Sequence, residues 1–201
     1  NRFYDVSRGL IEINGVDIRK YDLESLRAQI GYVAQKAHMF KGSIRSNICF
    51  GKPEASEEEM VHASSVAQAS DFISKRENGY LDEIAEDGTN ISGGQKQRLS
   101  IARVILKKPS LYIYDDSFSA LDFKTDATLR KALKPEVKNA IFFVVAQRIS
   151  TIMDSDMIIV LDEGQIIGLG THLELLKNCS VYQEIAHSQL TQKELDDYER
   201  N

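Results

Sequence analysis

Apolar positions along this chain fall into short blocks whose spacing switches repeatedly between strand and helix. Leu10-Ile11-Glu12-Ile13 reads as a strand, Asn14-Gly15 as a tight hairpin turn, and Val16 and Ile18 continue on the far side. Asp22 stands where it caps a short helix reaching Ala28, and Ile30 to Val33 is a second strand-like run. Gly51-Lys52-Pro53-Glu54 is a loop. Ser56 with Glu59 makes a capping box, and the acids at 57–59 favour a helix N-terminus. The stripe Val61, Ser65, Ala69, Phe72, Ile73 carries that helix to about Lys75, and the acidic stretch 79–89 reads as a loop. Ser92 with Gln95 is another capping box, predicting a helix over 95–107 that Pro109 stops. Leu111-Tyr112-Ile113-Tyr114-Asp115-Asp116 is an apolar run ending in two carboxylates. Residues 125–133 are helical, with Pro135 as the stop. The wholly apolar 140–146 predicts a strand covered on both faces of a parallel sheet. Residues 157–161 and 165–169 flank Asp162-Glu163-Gly164 as a hairpin. His172 opens a terminal helix that Tyr182, Ile185 and Leu190 extend, and 191–201 is a polar tail.

Composition narrows the classes. The 201 residues are 42% hydrophobic, enough for a real core. Net charge is −5 with no basic stripe, which argues against a nucleic-acid partner. The longest apolar run, 140–146, is far too short to cross a bilayer, and no segment reads as a signal peptide. Cys49 and Cys179 lie far apart without metal-ligand spacing, so two reduced cytosolic thiols are the expectation.

Candidate chemistry concentrates between residues 90 and 122. Two glycines, Gly93 and Gly94, in the first turn after Ser92 leave backbone N–H groups uncovered at the positive end of a helix, which suits an anion and most naturally a phosphate. A buried strand delivering Asp115 at its tip is how nucleotide enzymes hold Mg²⁺ beside phosphates. Each piece alone has a plain alternative: Ser92 to Gln95 as a flexible turn, the aspartate pair or Asp122 as a helix cap. Their order and spacing together favour the nucleotide reading.

Taken together, these motifs resemble the ATPase domain of ABC transporters of the exporter class. Ile91-Ser92-Gly93-Gly94-Gln95 is similar to the signature loop, Leu111 to Asp115 to the Walker B strand, and Ser119-Ala120-Leu121-Asp122 to the D-loop. The resemblance runs from about Arg2 to Leu190. It implies an α/β fold, a P-loop NTPase-like ABC ATPase domain with a helical subdomain. Its divisions are 1–53 (core with Q-loop), 54–108 (helical subdomain), 109–190 (core with Walker B, D-loop and switch loop) and the tail 191–201. It implies ATP and Mg²⁺ as cofactors, Asp115 and Gln35 toward the metal, and Asp116, Gln147 and Gln35 in catalysis. It further implies that Ser92, Gly93, Gly94, Gln95 and Asp122 bind nucleotide across a dimer. The implied partners are a second ABC ATPase domain and the transporter's membrane-spanning domain, at the cytoplasmic face of the cell membrane, with no nucleic acid. The run Met39-Phe40-Lys41-Gly42-Ser43-Ile44-Arg45-Ser46-Asn47-Ile48 after Gln35 is also similar to exporters.

The departures from the family pattern carry as much meaning. No Gly-x-x-x-x-Gly-Lys-Ser/Thr P-loop occurs in the 201 residues, and Arg2-Phe3-Tyr4-Asp5 resembles the residues just after the P-loop helix. The expectation is a piece of a longer protein lacking the N-terminal strand–P-loop unit and the adenine-stacking aromatic, which by itself does not bind ATP in the normal way. Asp116 stands where the family has Glu, and the shorter side chain withdraws its oxygens by about 1.5 Å. Gln147, in Val144-Val145-Ala146-Gln147-Arg148-Ile149-Ser150-Thr151, stands for the switch His; it hydrogen-bonds but cannot share a proton as imidazole does. In the loop resembling the exporter X-loop, Glu86 and Gly88 match, while Asp87 replaces an arginine and Ala85 a glycine. An intact signature beside an altered Walker B and switch implies the degenerate half of a heterodimeric exporter. The alternatives are a nucleotide-binding regulatory module with little hydrolysis, or a soluble ABC-type ATPase. Against the soluble enzyme stand residues 39–47, the ending Gly170-Thr171-His172-Leu173-Glu174-Leu175-Leu176 and the lack of basic patches.

Overall fold

The first hairpin forms as its turn residues dictate. In the computed structural model, which describes residues 1–191, β1 (Glu12–Ile13) pairs antiparallel with β2 (Val16–Asp17), and Asn14 and Gly15 take φ of 53° and 75°. Asp22 accepts from the Ser25 N–H at 2.9 Å and opens α1 (Leu23–Ala28), which leads into β3 (Ile30–Val33). Then come β4 (Gly42–Ser43), α2 (Ile44–Ile48) and α3 (Glu57–Val66), the last with the capping box at Ser56 and Glu59.

The stripe read as one helix to Lys75 is two. Gln68 turns left-handed at φ 57°, its amide donates to the Ser65 and Val66 carbonyls, and α4 (Ser70–Ile73) starts afresh. A side chain that satisfies the last carbonyls lets α3 stop without a glycine. Nor is 79–89 merely a loop, because β5 (Glu83–Ile84) pairs with β4 and buries Ile84. Next are α5 (Gly93–Lys107), closed by a left-handed Lys108, and β6 (Leu111–Asp115). α6 (Phe123–Glu136) carries Pro135 inside its last turn instead of stopping before it. Proline there forfeits one backbone bond, and the N–H of Val137 still reaches the Leu133 carbonyl at 3.1 Å. β7 (Ile141–Val145) completes this part.

Strands β3, β6 and β7 form a parallel sheet in the order β3-β6-β7. On one face, Val33, Tyr112, Tyr114, Phe142 and Val144 join the main core with Leu99, Ile105 and the lobe residues Ile44, Met60 and Ile73. Gly31 admits α5: a Cβ there would meet Val104 Cγ1 at 2.5 Å. On the other face, Ile18, Leu26 and Ile30 reach Leu111 and Ile113, but Ile141, Phe143 and Val145 stay exposed. The expectation that this strand is covered on both faces therefore fails among the described residues, since the second cluster spans only two of the three strands.

Tyr114 is wholly buried, edge-on to Phe142 at 4.9 Å, and its hydroxyl has no hydrogen-bond partner among the described residues. Burial pushes that phenol far above its ordinary value. Tyr114→Phe removes an unsatisfied polar atom while keeping the ring. It is expected to stabilise the fold by about 1–3 kcal/mol, read as a later midpoint in urea denaturation; an earlier midpoint refutes it.

The chain divides into compact units at Asn1–Val145 and Ala146–Asn201, a boundary that falls inside the division 109–190 read from the sequence. The second unit contains α7 (Ile149–Ile152), the hairpin β8 (Ile158–Asp162) and β9 (Gln165–Gly170), α8 (His172–Asn178) and α9 (Ser180–Gln189). Glu163 and Gly164, at φ 45° and 77°, make the expected hairpin turn. The single terminal helix predicted from His172 is interrupted where Cys179 becomes extended, and its thiol is buried against Gly168. Of the polar tail, residues 192–201 lie outside the described residues. Among the described residues, no helix is long and apolar enough to cross a membrane.

His172 is buried with Nδ1 at 2.7 Å from the Tyr182 hydroxyl, and burial lowers its pKa, opposed by Asp154. A histidine that titrates lower when folded contributes stability above its unfolded pKa of about 6.5 and loses it as pH falls below. Acidification from pH 8 to 5 is expected to melt this unit earlier, and His172→Gln to flatten that dependence in circular-dichroism melts. An equal acid sensitivity in the variant refutes the assignment.

Candidate functional site

Parallel strands bring their carboxyl ends to one edge, where open α/β sheets bind ligands. At that edge β6 delivers Asp115 and Asp116, and the residues after β3 deliver Gln35. Gln35 Nε2 donates to Asp116 Oδ2 at 3.1 Å, so two of the residues singled out from the sequence meet directly although they lie far apart in the chain. Asp116 sits at φ 44°, a left-handed conformation that aspartate tolerates better than longer side chains, and its N–H donates to the Val145 carbonyl at 2.9 Å. Its own carbonyl accepts from the Ser119 hydroxyl at 2.7 Å, which draws the following loop into a turn.

Asp115 has a partner the sequence reading missed. The Tyr32 hydroxyl donates to Asp115 Oδ2 at 2.9 Å. Burial first, then this bond, raises the phenol above its ordinary pKa. The signal was present: Tyr32, three residues before Gln35, shares a strand face with Ile30. A second missed residue is Gln97, fully buried in α5, whose Nε2 donates to the Ala34 carbonyl at 3.0 Å and so fastens the Gln35 loop to the helix.

The residues fit Mg²⁺. Hard carboxylate and amide oxygens are its preferred donors, and Asp115 Oδ1 accepts nothing among the described residues. Those residues hold no group of three His, Cys, Asp or Glu able to cage a metal. Mg²⁺ beside phosphates is commonly held by one or two carboxylates, with water and phosphate completing its coordination. When bound, such an ion neutralises charge on phosphate oxygens.

The helix tip at Ser92 is built as the capping box requires. Ser92 Oγ accepts from the Gln95 N–H at 3.3 Å, and Gln95 Oε1 accepts from the Ser92 N–H at 3.1 Å. Ser92 and Gly93 are exposed, and a Cβ on Gly93 would meet nothing within 4 Å. Gly94 is different: a Cβ there would stand 3.3 Å from the Ala120 carbonyl, so the turn 119–122 packs on this tip. Asp122 caps α6 through the Thr125 N–H at 2.9 Å and the Thr125 hydroxyl at 2.7 Å, bonds that lower its pKa. The cap reading of Asp122 is thus observed. Arg98 lies over the Phe72 ring at 5.0 Å and donates to the Gln68 carbonyl at 2.7 Å, tying the tip to the helical lobe.

Gln147 belongs to the second unit, where its backbone carbonyl accepts from Gln189 Nε2 at 2.9 Å. Gln189 Oε1 accepts in turn from the Ile149 N–H at 2.9 Å, clamping the segment around Gln147 to α9. No feature of the sequence pointed to Gln189.

Comparison with known proteins places this architecture. The family model described as ABC transporter matches residues 1–119. A relative in Bacillus subtilis (strain 168), provisionally named multidrug export ATP-binding/permease protein YgaD, is 46% identical over 184 residues, covering 92% of this chain and 32% of that protein. An uncharacterized ABC transporter ATP-binding protein of Mycobacterium tuberculosis (strain ATCC 25618 / H37Rv), Rv1273c, is 42% identical over 191 residues, covering 94% and 32%. A solved structure of a bacterial Atm1-family ABC exporter with ATP bound superposes with a TM-score of 0.92 at 38% identity, covering 95% of this chain and 34% of that one. The chain spans about a third of the length of the curated relatives it matches. With more than half of its residues matched by the family model, the chain belongs to the ABC transporter family.

Proposed function

We propose that this chain is the nucleotide-binding part of an ABC exporter, which couples ATP binding and hydrolysis to substrate transport across a membrane. In this reading it is the degenerate half of a heterodimer at the cytoplasmic face, working with a second ATPase domain and a membrane-spanning domain. The observation that carries it is the meeting of Gln35 with Asp116, beside Asp115, at the carboxyl edge of the parallel sheet. Asp115 and Gln35 hold Mg²⁺, Asp116 and Gln147 attend the attacking water and terminal phosphate, and Ser92, Gly93, Gly94 and Gln95 face a triphosphate on the partner subunit. Asp122, while capping its helix, lies on the turn that packs against that tip. The exporter reading is supported by the multidrug-export name of the Bacillus subtilis relative and by the likeness to a solved Atm1-family exporter.

The test is to purify the full-length protein alone and together with the ATPase subunit that co-purifies with it, and to measure ATP turnover and vanadate-dependent nucleotide trapping. Weak turnover alone and strong turnover with the partner are expected. Vigorous hydrolysis by the full-length protein alone sinks the heterodimer reading.

A further inference from the structure

The contact between Tyr32 and Asp115 follows from strand register. Tyr32 pairs with Ile113 across the parallel ladder, so Asp115 is its diagonal neighbour, two residues on and on the same face. Diagonal neighbours lie about 7–8 Å apart, within reach of a long aromatic side chain but not of a short one. The phenol closes that gap to 2.9 Å, and Phe3, edge-on at 6.0 Å, packs against its ring. A hydroxyl donating to a carboxylate is among the stronger neutral-to-charged hydrogen bonds. It occupies Oδ2 and leaves Oδ1 as the oxygen with no partner among the described residues.

We propose that Tyr32 is a positioning and selectivity residue for the divalent cation: by holding Oδ2, it makes Asp115 a one-oxygen ligand of fixed direction. The inference rests on the reading of Asp115 as a magnesium ligand. A carboxylate restrained in this way suits the small, strictly octahedral Mg²⁺ or Mn²⁺, which take single oxygens, and disfavours Ca²⁺, which accepts both oxygens of one carboxylate. Removing a hydrogen bond that orients a metal ligand changes metal affinity by about 10–100-fold.

The experiment uses the full-length protein with its partner subunit and Mn²⁺ as the probe. Electron paramagnetic resonance follows Mn²⁺ binding in the presence of ATP at low temperature, and Ca²⁺ is titrated in as competitor. Tyr32→Phe keeps the ring and deletes the hydroxyl; Tyr32→Leu is a second hydroxyl-free side chain; Asp115→Asn tests the ligand itself. In both Tyr32 variants Mn²⁺ affinity is expected to fall about 10-fold and the calcium-to-manganese affinity ratio to rise, with ATP affinity in EDTA unchanged. If Asp115→Asn weakens Mn²⁺ binding but neither Tyr32 variant shifts the affinity or the ratio, the proposal is overturned while the metal site stands. If ATP affinity in EDTA falls in parallel, Tyr32 is only structural and the proposal is again overturned. If Asp115→Asn also leaves Mn²⁺ binding unchanged, the underlying site reading fails as well.

Discussion

Asp116→Glu in the full-length protein, with its partner present, is expected to raise hydrolysis at this chain's own pocket by about 100-fold. The reach of the side chain sets the effect. Aspartate withdraws its oxygens by about 1.5 Å relative to the glutamate that the family resemblance puts there, and a misplacement near 1 Å costs on the order of 10²-fold in rate. The structure adds two details. Gln35 already donates to Asp116 Oδ2 at 3.1 Å, so the carboxylate is tethered at the strand end. The backbone at Asp116 is left-handed, φ 44°, where a longer side chain is less at ease. The gain in rate is therefore expected together with a small loss of stability, within the roughly 1–2 kcal/mol that this conformation costs a non-glycine residue. Gln147→His in the same background should add to the gain, because imidazole can share a proton and an amide cannot. Single-turnover measurements with the partner's pocket disabled separate the two sites; an unchanged rate in both variants removes the impaired-pocket idea.

A substitution at the helix tip should do the opposite, to the other pocket. Gly93 is the first residue of α5, and nothing lies within 4 Å of a Cβ added there. Gly93→Asp is therefore sterically free, and a carboxylate in the first turn favours the helix by about 0.3–1 kcal/mol. The same negative charge opposes a triphosphate approaching that tip. Stability of the chain is expected to hold or rise while hydrolysis at the partner's pocket falls about 10²–10³-fold, the scale for losing one aligned donor. A variant that folds normally and leaves partner turnover intact refutes the role of this helix tip. The opposite signs of the stability and activity effects exclude simple unfolding as the cause.

Much of the site was legible because it depends on neighbours in sequence. Capping boxes at Ser56 and Ser92, the Asp22 and Asp122 caps and both hairpin turns are local devices, made by residues two or three apart, and all are present in the structure. The fold class was readable through the family resemblance, whose motifs are likewise short stretches of sequence, and alternating apolar runs and capped helices are consistent with it. Where local cues misled, the cause was again specific. The period of Val61 to Ile73 continued across Gln68, although the chain turns left-handed there, and the acidity of 79–89 masked the two residues that pair with β4. Pro135 gave a helix end at Leu133, three residues before the observed Glu136, because a last turn tolerates one lost bond.

By itself, the sequence determined the candidate residues, their order, and the departures from the family pattern at Asp116 and Gln147, since these are matters of residue identity and short spacing. Tertiary structure alone decided which of them meet. The Gln35–Asp116 and Tyr32–Asp115 contacts depend on the parallel register of β3 against β6, in which Tyr32 faces Ile113. The hold of Gln97 on the Ala34 carbonyl and of Gln189 on the Gln147 segment likewise joins residues dozens of positions apart. Register is a property of packing, set by which faces of the strands bury together, and no single stretch of sequence contains it.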